Sequence, residues 1–197
     1  MYRVGSCPAV GKTTLALQLA LKISAAYEKP VYIFSYEMSE ETLRSKIVSL
    51  SADMSNRMPI YICECTRLTV EDMNDILKSQ PQVGLVIIDY LQLIGFQENT
   101  KSKKQTAENI NKLKGLAREC NCAILCTAQL SKNYTLENPF GFDGKTEYFG
   151  DDVILLYGKE NDTATRKITV LKKMLDCTYT EKGTVEIKWD KDKVRFT

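Results

Sequence analysis

The residues best suited to chemistry in this 197-residue chain lie near its start, in the run Ser6-Cys7-Pro8-Ala9-Val10-Gly11-Lys12-Thr13-Thr14. Gly-Lys-Thr is the decisive half of a phosphate-binding loop, although Ser6 stands where the regular pattern has its first glycine. Backbone N–H groups that turn into a helix start offer donors, and the positive end of a dipole, to a phosphate. Gly11 lets the chain come close, Lys12 adds charge, and the Thr13 hydroxyl suits Mg²⁺. A second anchor is Leu85-Val86-Ile87-Ile88-Asp89, a buried-strand pattern ending in a carboxylate. In phosphoryl-transfer proteins an acid so placed orders Mg²⁺ or a water beside the loop lysine. Alone, such a segment equally fits a solvated strand end; the pairing with the loop upstream is what gives it chemistry. Glu37 and Gln129 also follow strand-like runs, where an acid can orient an attacking water and an amide can sense the γ-phosphate. Glu37 equally suits compensation of a helix dipole, and Gln129 an ordinary strand end.

Positions this far apart in sequence need a scaffold that gathers them at one edge. Leu15, Leu19, Ala20 and Ile23 recur at helical spacing over 12–27, after a short strand over 2–4. A β-branched and aromatic run follows Pro30 at 31–35, and Ser39 before Glu40 and Glu41 marks a capped helix start. The alternation continues with a strand over 60–63, a helix from Thr69, a strand over 83–89, a helix from about Thr106 to Cys120 and a strand over 122–127. This order predicts an α/β fold: a central, mainly parallel sheet with helices on both faces and chemistry at the carboxyl ends of the strands. Beyond Gln129 the runs 153–157, 167–171, 185–189 and 194–197 read as strands of an antiparallel C-terminal edge. No repeat or domain-splitting linker interrupts residues 1–197, so a single domain is predicted. The connections over 95–105 and 131–150 are long enough to suggest function.

Composition narrows the classes further. With 44% hydrophobic and 26% charged residues the chain has the makings of a globular core, not of a disordered segment. Its 27 basic and 25 acidic side chains leave a net charge of +2, so any contact with a polyanion must be local. The longest apolar runs fall far short of the roughly 20 residues of a membrane-spanning helix. The first 30 residues lack the order of a signal peptide, and a cytoplasmic protein with no membrane partner is predicted. Seven cysteines is an odd number; the Cys63/Cys65 and Cys120/Cys122 spacings depart from those of zinc sites, and histidine is absent.

Four ordered strings then carry a resemblance: Phe34-Ser35-Tyr36-Glu37-Met38-Ser39, Ile87-Ile88-Asp89-Tyr90-Leu91-Gln92-Leu93, Leu113-Lys114-Gly115-Leu116-Ala117-Arg118-Glu119 and Thr127-Ala128-Gln129-Leu130-Ser131. Together with the phosphate loop they closely resemble the ATPase domain of DnaB-type replicative helicases, over residues 4–157 and more weakly to the end. The resemblance implies a RecA-like P-loop fold with ATP and Mg²⁺ as cofactors. It also implies ATP sites at the subunit boundaries of a homo-hexameric ring, single-stranded DNA in the centre, and other replication proteins as partners. Carried over, it makes Lys12 and Thr13 the phosphate and Mg²⁺ contacts, Asp89 the metal-side carboxylate, Glu37 the residue that activates water and Gln129 the γ-phosphate sensor. The family's DNA loops correspond to 95–105, with Lys101, Lys103 and Lys104, and to 138–150, with Lys145. Those lysines equally suit a solvated surface run.

The sequence departs from the family in three places. Met1 lies a few residues before the phosphate loop, where the family carries a separate N-terminal domain and a linking helix that latches neighbours. The stretch between Glu37 and Pro59 is shorter. Near the C-terminus the family has Lys-x-Arg, whose arginine enters the neighbour's site; here Leu171-Lys172-Lys173-Met174 stands instead. Slow hydrolysis by the isolated chain is therefore predicted unless Lys172, Lys173 or another residue substitutes, since such an arginine is worth about 10³ to 10⁵ in rate. The leading reading is the motor domain of a replicative DNA helicase. The alternative is a nucleotide-binding accessory protein of phage or mobile-element replication with little or no unwinding. A RecA-like recombination or clock-type ATPase fits the Glu-Met-Ser and Asp-Tyr-Leu-Gln-Leu strings less well.

Overall fold

Strand residues buried on both faces read as continuous apolar runs, because helices must cover each side of a parallel sheet. The second and fourth strands, β2 (Val31–Ser35) and β4 (Leu85–Asp89), have every residue buried. The computed structural model describes residues 1–7, 9–51, 59–80, 82–95, 103–130, 152–159, 162–173 and 179–197. The remaining elements are β1 (Tyr2–Ser6), α1 (Lys12–Tyr27), α2 (Glu40–Leu50), β3 (Ile60–Glu64), α3 (Val70–Lys78), α4 (Lys103–Glu119), β5 (Ala123–Gln129), β6 (Asp152–Lys159), β7 (Asp162–Lys173), β8 (Tyr179–Asp190) and β9 (Arg195–Phe196). A 3₁₀ turn over Leu91–Leu93 follows β4. None of the described helices is long and apolar enough to cross a membrane.

Among the described residues the strands form one sheet in the order β3-β2-β4-β5-β1-β6-β7-β8-β9. The pairs from β3 through β6 are parallel, and β6-β7, β7-β8 and β8-β9 are antiparallel. The parallel core and antiparallel C-terminal edge predicted from the sequence are both present.

Alternation along the strands divides the core in two. Tyr32, Phe34, Val86, Ile88, Ile124 and Cys126 pack with Met73 and Leu77 of α3 and Ile110, Leu113 and Leu116 of α4. Val31, Ile33, Leu85, Ile87 and Leu125 face the other way, onto Leu15, Leu17 and Ala20 of α1 and Leu43 and Leu50 of α2. Burying each of these large side chains contributes about 1.5–3 kcal/mol, so the two layers fix where the strand ends lie.

Local signals set the helix starts. Ser39 caps α2, accepting from the Thr42 amide at 3.3 Å. Thr69 and Asp72 form a reciprocal capping box at α3. The fourth helix differs from expectation: it begins at Lys103, not at about Thr106. Lys103 and Lys104 therefore belong to its first turn and not to the preceding connection. The apolar pattern starts only at Ala107, but lysine and glutamine are good helix formers and carry the helix back beyond it.

Candidate nucleotide site

The sheet order places β5 between β4 and β1, so the carboxyl ends of three parallel strands meet at one edge. Such an edge, outside the ends of parallel strands, is where open α/β sheets hold ligands. Ser6, at the end of β1, pairs with Gln129 at the end of β5, and the Leu130 amide donates to the Ser6 carbonyl at 3.1 Å. The chain then turns through Gly11, whose φ of 108° and ψ of 25° are left-handed, and enters α1 at Lys12. That conformation favours glycine. Space demands it as well: a Cβ on Gly11 would lie 2.8 Å from Phe196 Cζ.

The start of α1 differs from those of α2 and α3. It has no side-chain cap and no acid in its first turn, whereas α2 has Ser39, Glu40 and Glu41 and α3 has Thr69, Glu71 and Asp72. The first amides of α1 thus keep their positive character for something other than the chain's own side chains.

Lys12 lies at this helix start, its ammonium 3.4 Å from the Cys7 carbonyl. Burial lowers its pKa from the ordinary lysine value, while Asp89 and then Glu37 hold it up, so both acids act on this cation. Thr13 Oγ1 donates to Asp89 Oδ2 at 2.7 Å. Thr127, inside β5, donates to Asp89 Oδ1 from the other side. Asp89 is 1% exposed, and its orientation is therefore fixed by two hydroxyls from two different elements. Burial, with Glu37 and Asp89, raises the pKa of the Tyr90 phenol above its usual value and keeps it protonated at neutral pH.

Glu37 sits in a turn closed by Ser35, whose hydroxyl donates to the Met38 carbonyl at 2.7 Å and accepts from the Met38 amide at 3.1 Å. The Glu37 side chain is exposed beyond that brace. Gln129 is held through its main chain: Gln92 Nε2 donates to its carbonyl at 3.0 Å and Gln92 Oε1 accepts from its amide at 3.4 Å.

A cleft of about 400 Å³ opens over these groups, lined by Ala9, Val10, Gly11, Lys12, Thr13, Thr14, Glu37, Met38, Lys46, Tyr90, Gln129, Arg166, Trp189 and Val194. The sequence-predicted residues Ala9 to Thr14, Glu37 and Gln129 thus share one cavity, with Asp89 directly behind Thr13. Ser6 is buried at the end of β1, its hydroxyl turned onto the Cys7 carbonyl, and Cys7 is exposed beside the loop. Pro8, Lys101, Lys145 and Met174 lie outside the described residues, as do the side chains of Lys103, Lys104 and Lys172.

The backbone of Lys172 is informative. It pairs with Asp152, which in turn pairs with Tyr2, at the opposite edge of the sheet from the phosphate loop. Lys172 is therefore not brought into its own chain's cleft. Arg166 is: it pairs with Gly158 near the carboxyl end of β6, on the loop's side. Lys46, Tyr90, Arg166, Trp189 and Val194 are cleft residues that sequence reasoning missed. Only the register of the C-terminal strands and the turn after β8 reveal the last three.

The fold and site define a P-loop domain with an all-oxygen Thr–Asp pair beside the loop lysine. The sequence profile of the DnaB-like helicase C terminal domain matches residues 1–58 and 49–197, and the chain belongs to that family. A probable replicative DNA helicase of Trieres chinensis is 27% identical over 237 residues, covering 96% of this chain and 51% of the relative. The replicative DNA helicase DnaB of Nostoc sp. is 30% identical over 159 residues, 66% of this chain and 18% of that protein. The chain thus spans about half, or less, of the length of these relatives. A solved DnaB-like replicative helicase, described with its interactions with primase, superposes with a TM-score of 0.81 at 19% identity, covering 100% of this chain and 58% of the other. A solved ATPase domain gives 0.79 at 18% identity, with 100% and 83% covered. These likenesses establish the RecA-like fold. The two profile segments overlap at residues 49–58.

Proposed function

We propose that residues 1–197 form one ATPase domain, the motor of a DnaB-type replicative helicase, which couples ATP hydrolysis to movement along single-stranded DNA and separation of a duplex. The observation that carries this reading is the convergence of Lys12, Thr13, Asp89 and Glu37 at the uncapped start of α1. The oxygen pair of Thr13 and Asp89, 2.7 Å apart, suits a hard cation such as Mg²⁺, which takes one or two protein oxygens and keeps its waters. Bound Mg-ATP would supply the γ-phosphoryl group and the charge neutralisation that its transfer to water requires.

The chain's own residues have separable tasks in this proposal. Lys12 and the first amides of α1 hold the phosphates. Thr127 and Thr13 keep the Asp89 carboxylate aimed. Glu37, exposed on a braced turn, orients a water and accepts its proton. Gln129, fixed by Gln92, presents an amide to the terminal phosphate. The Lys172 backbone lies at the far edge of the sheet, away from the phosphate loop of its own chain. That supports sites completed between subunits of a homo-hexameric ring, with Lys101, Lys103, Lys104 and Lys145 as candidate contacts to the strand in its centre. Primase-like and other replication proteins are proposed partners, and the cytoplasm the proposed location.

The test is an ATPase and forked-duplex unwinding assay, with and without single-stranded DNA, together with solution mass in the presence of Mg-ATP. The expected result is assembly, and turnover that rises with DNA and is lost in Lys12→Ala. Brisk, DNA-independent turnover by a monomer would contradict the shared site.

A further inference from the structure

The cleft does not end at the phosphate loop. Its far wall is built by β8 and the turn that follows it, through Trp189 and Val194. Phe196 lies between that wall and the loop. Its ring would meet a Cβ on Gly11 at 2.8 Å, and it meets the Trp189 ring edge to face at 4.9 Å and 62°. Phe196 is itself anchored to α1, because Gln18 Nε2 donates to its carbonyl and its amide donates to Gln18 Oε1, both at 2.9 Å. An aromatic platform therefore starts at the glycine of the phosphate loop and runs, on a fixed backbone, to a tryptophan that faces the cavity.

We infer that this platform is the seat of the nucleotide's base: a purine ring rests against Trp189 and Val194 while the phosphates lie on α1. The inference rests on the proposed function and adds to it how the base is chosen. Two groups beside the platform are already engaged. Asp190 Oδ1 accepts from the amides of Asp192 and Lys193 at 3.1 and 3.0 Å, and Lys188 and Thr197 exchange both main-chain bonds at 3.0 Å. The ring face and the valine methyls are the apolar surface this wall offers. Recognition is then by stacked area, which favours purines over pyrimidines and separates adenine from guanine weakly.

Trp189 is the one tryptophan of the chain, so its emission reports on this wall alone. Wild type, Trp189→Ala, Trp189→Phe and Lys12→Ala are titrated with Mg-ATP, Mg-GTP, Mg-UTP and Mg-tripolyphosphate, by tryptophan emission in wild type and by calorimetry in all four. In wild type, ATP and GTP change the emission saturably, bind within about threefold of each other, and bind at least about tenfold more tightly than tripolyphosphate. Trp189→Ala brings ATP to the tripolyphosphate affinity without weakening tripolyphosphate, and Trp189→Phe keeps most of the difference. Equal binding of ATP and tripolyphosphate in wild type overturns the base seat and leaves the phosphate site standing. So does a preference of more than tenfold between ATP and GTP, or parallel loss of both ligands in Trp189→Ala. Absence of any Lys12-dependent binding overturns the proposed function with it.

Discussion

A single methyl group at position 11 tests the link between the loop and the last strand. In Gly11→Ala the new Cβ meets two penalties. The backbone there has φ 108°, and holding a left-handed conformation costs a non-glycine residue about 1–2 kcal/mol. The methyl would also lie 2.8 Å from Phe196 Cζ and 3.2 Å from Cε2. Gln18 holds the Phe196 backbone, so relief must come from moving its ring, which packs edge to face on Trp189; overpacking of this kind costs about 1–3 kcal/mol. The total of about 2–5 kcal/mol corresponds to a fall in Tm of roughly 5–20 °C for a domain of this size. Thermal and urea unfolding of wild type, Gly11→Ala, Phe196→Leu and the double variant separate the two parts. The steric part should appear as a coupling energy of about 1–3 kcal/mol between the sites, and the backbone part should remain in the double variant. Gly11→Ala within about 0.5 kcal/mol of wild type, or strict additivity with Phe196→Leu, would refute the packing described here.

Three further outcomes are expected. Thr127→Val removes a buried donor to the Asp89 carboxylate and should lower stability by about 2–3 kcal/mol in urea unfolding; an unchanged midpoint would show that this hydroxyl does not support the acid. Burial holds the Lys12 pKa below the ordinary lysine value of 10.5, so between the lowered value and 10.5 the unfolded chain binds more protons than the folded one. Stability from this group therefore rises with pH across that window, and below it the buried charge is a constant cost. Lys12→Met should unfold at or above the wild-type midpoint at neutral pH while losing Mg-ATP binding, and a lower midpoint would contradict the desolvation argument. Among the described cysteines Cys7 is exposed, while burial pushes Cys65 and Cys126 up to about 12. Alkylation at pH 8 followed by peptide mapping should mark Cys7 well before either of them; early modification of Cys126 would mean that β5 opens readily.

The sequence made the phosphate side of the cleft legible because its information is local. Gly11-Lys12-Thr13 lies between a strand and an amphipathic helix, and Asp89 and Glu37 each close an apolar run whose burial fixes the strand's direction. The base side was illegible for the converse reason. Trp189 and Arg166 reach the cavity through antiparallel register, and Val194 through the turn after β8; the register depends on pairings such as Arg166 with Gly158 and with Ile187. No periodicity encodes that register. The same holds for Lys172, whose place at the opposite edge follows from its partner Asp152 and not from its neighbours in the chain. The early start of α4 escaped because Lys103 and Lys104 carry no apolar signal, only helix propensity.

The position of β1 in the sheet has a consequence for how the molecule is made. This strand, near the start of the sequence, pairs only with β5 and β6, whose residues come about 120 and 150 positions later. At roughly 5–20 residues per second on a ribosome, Tyr2 to Ser6 waits about 8–30 s for both partners to be translated. Throughout that interval both edges of β1 lack their mates. β2, β3 and β4 can associate among themselves earlier, so the sheet cannot close around the phosphate loop until β5 and β6 have been made.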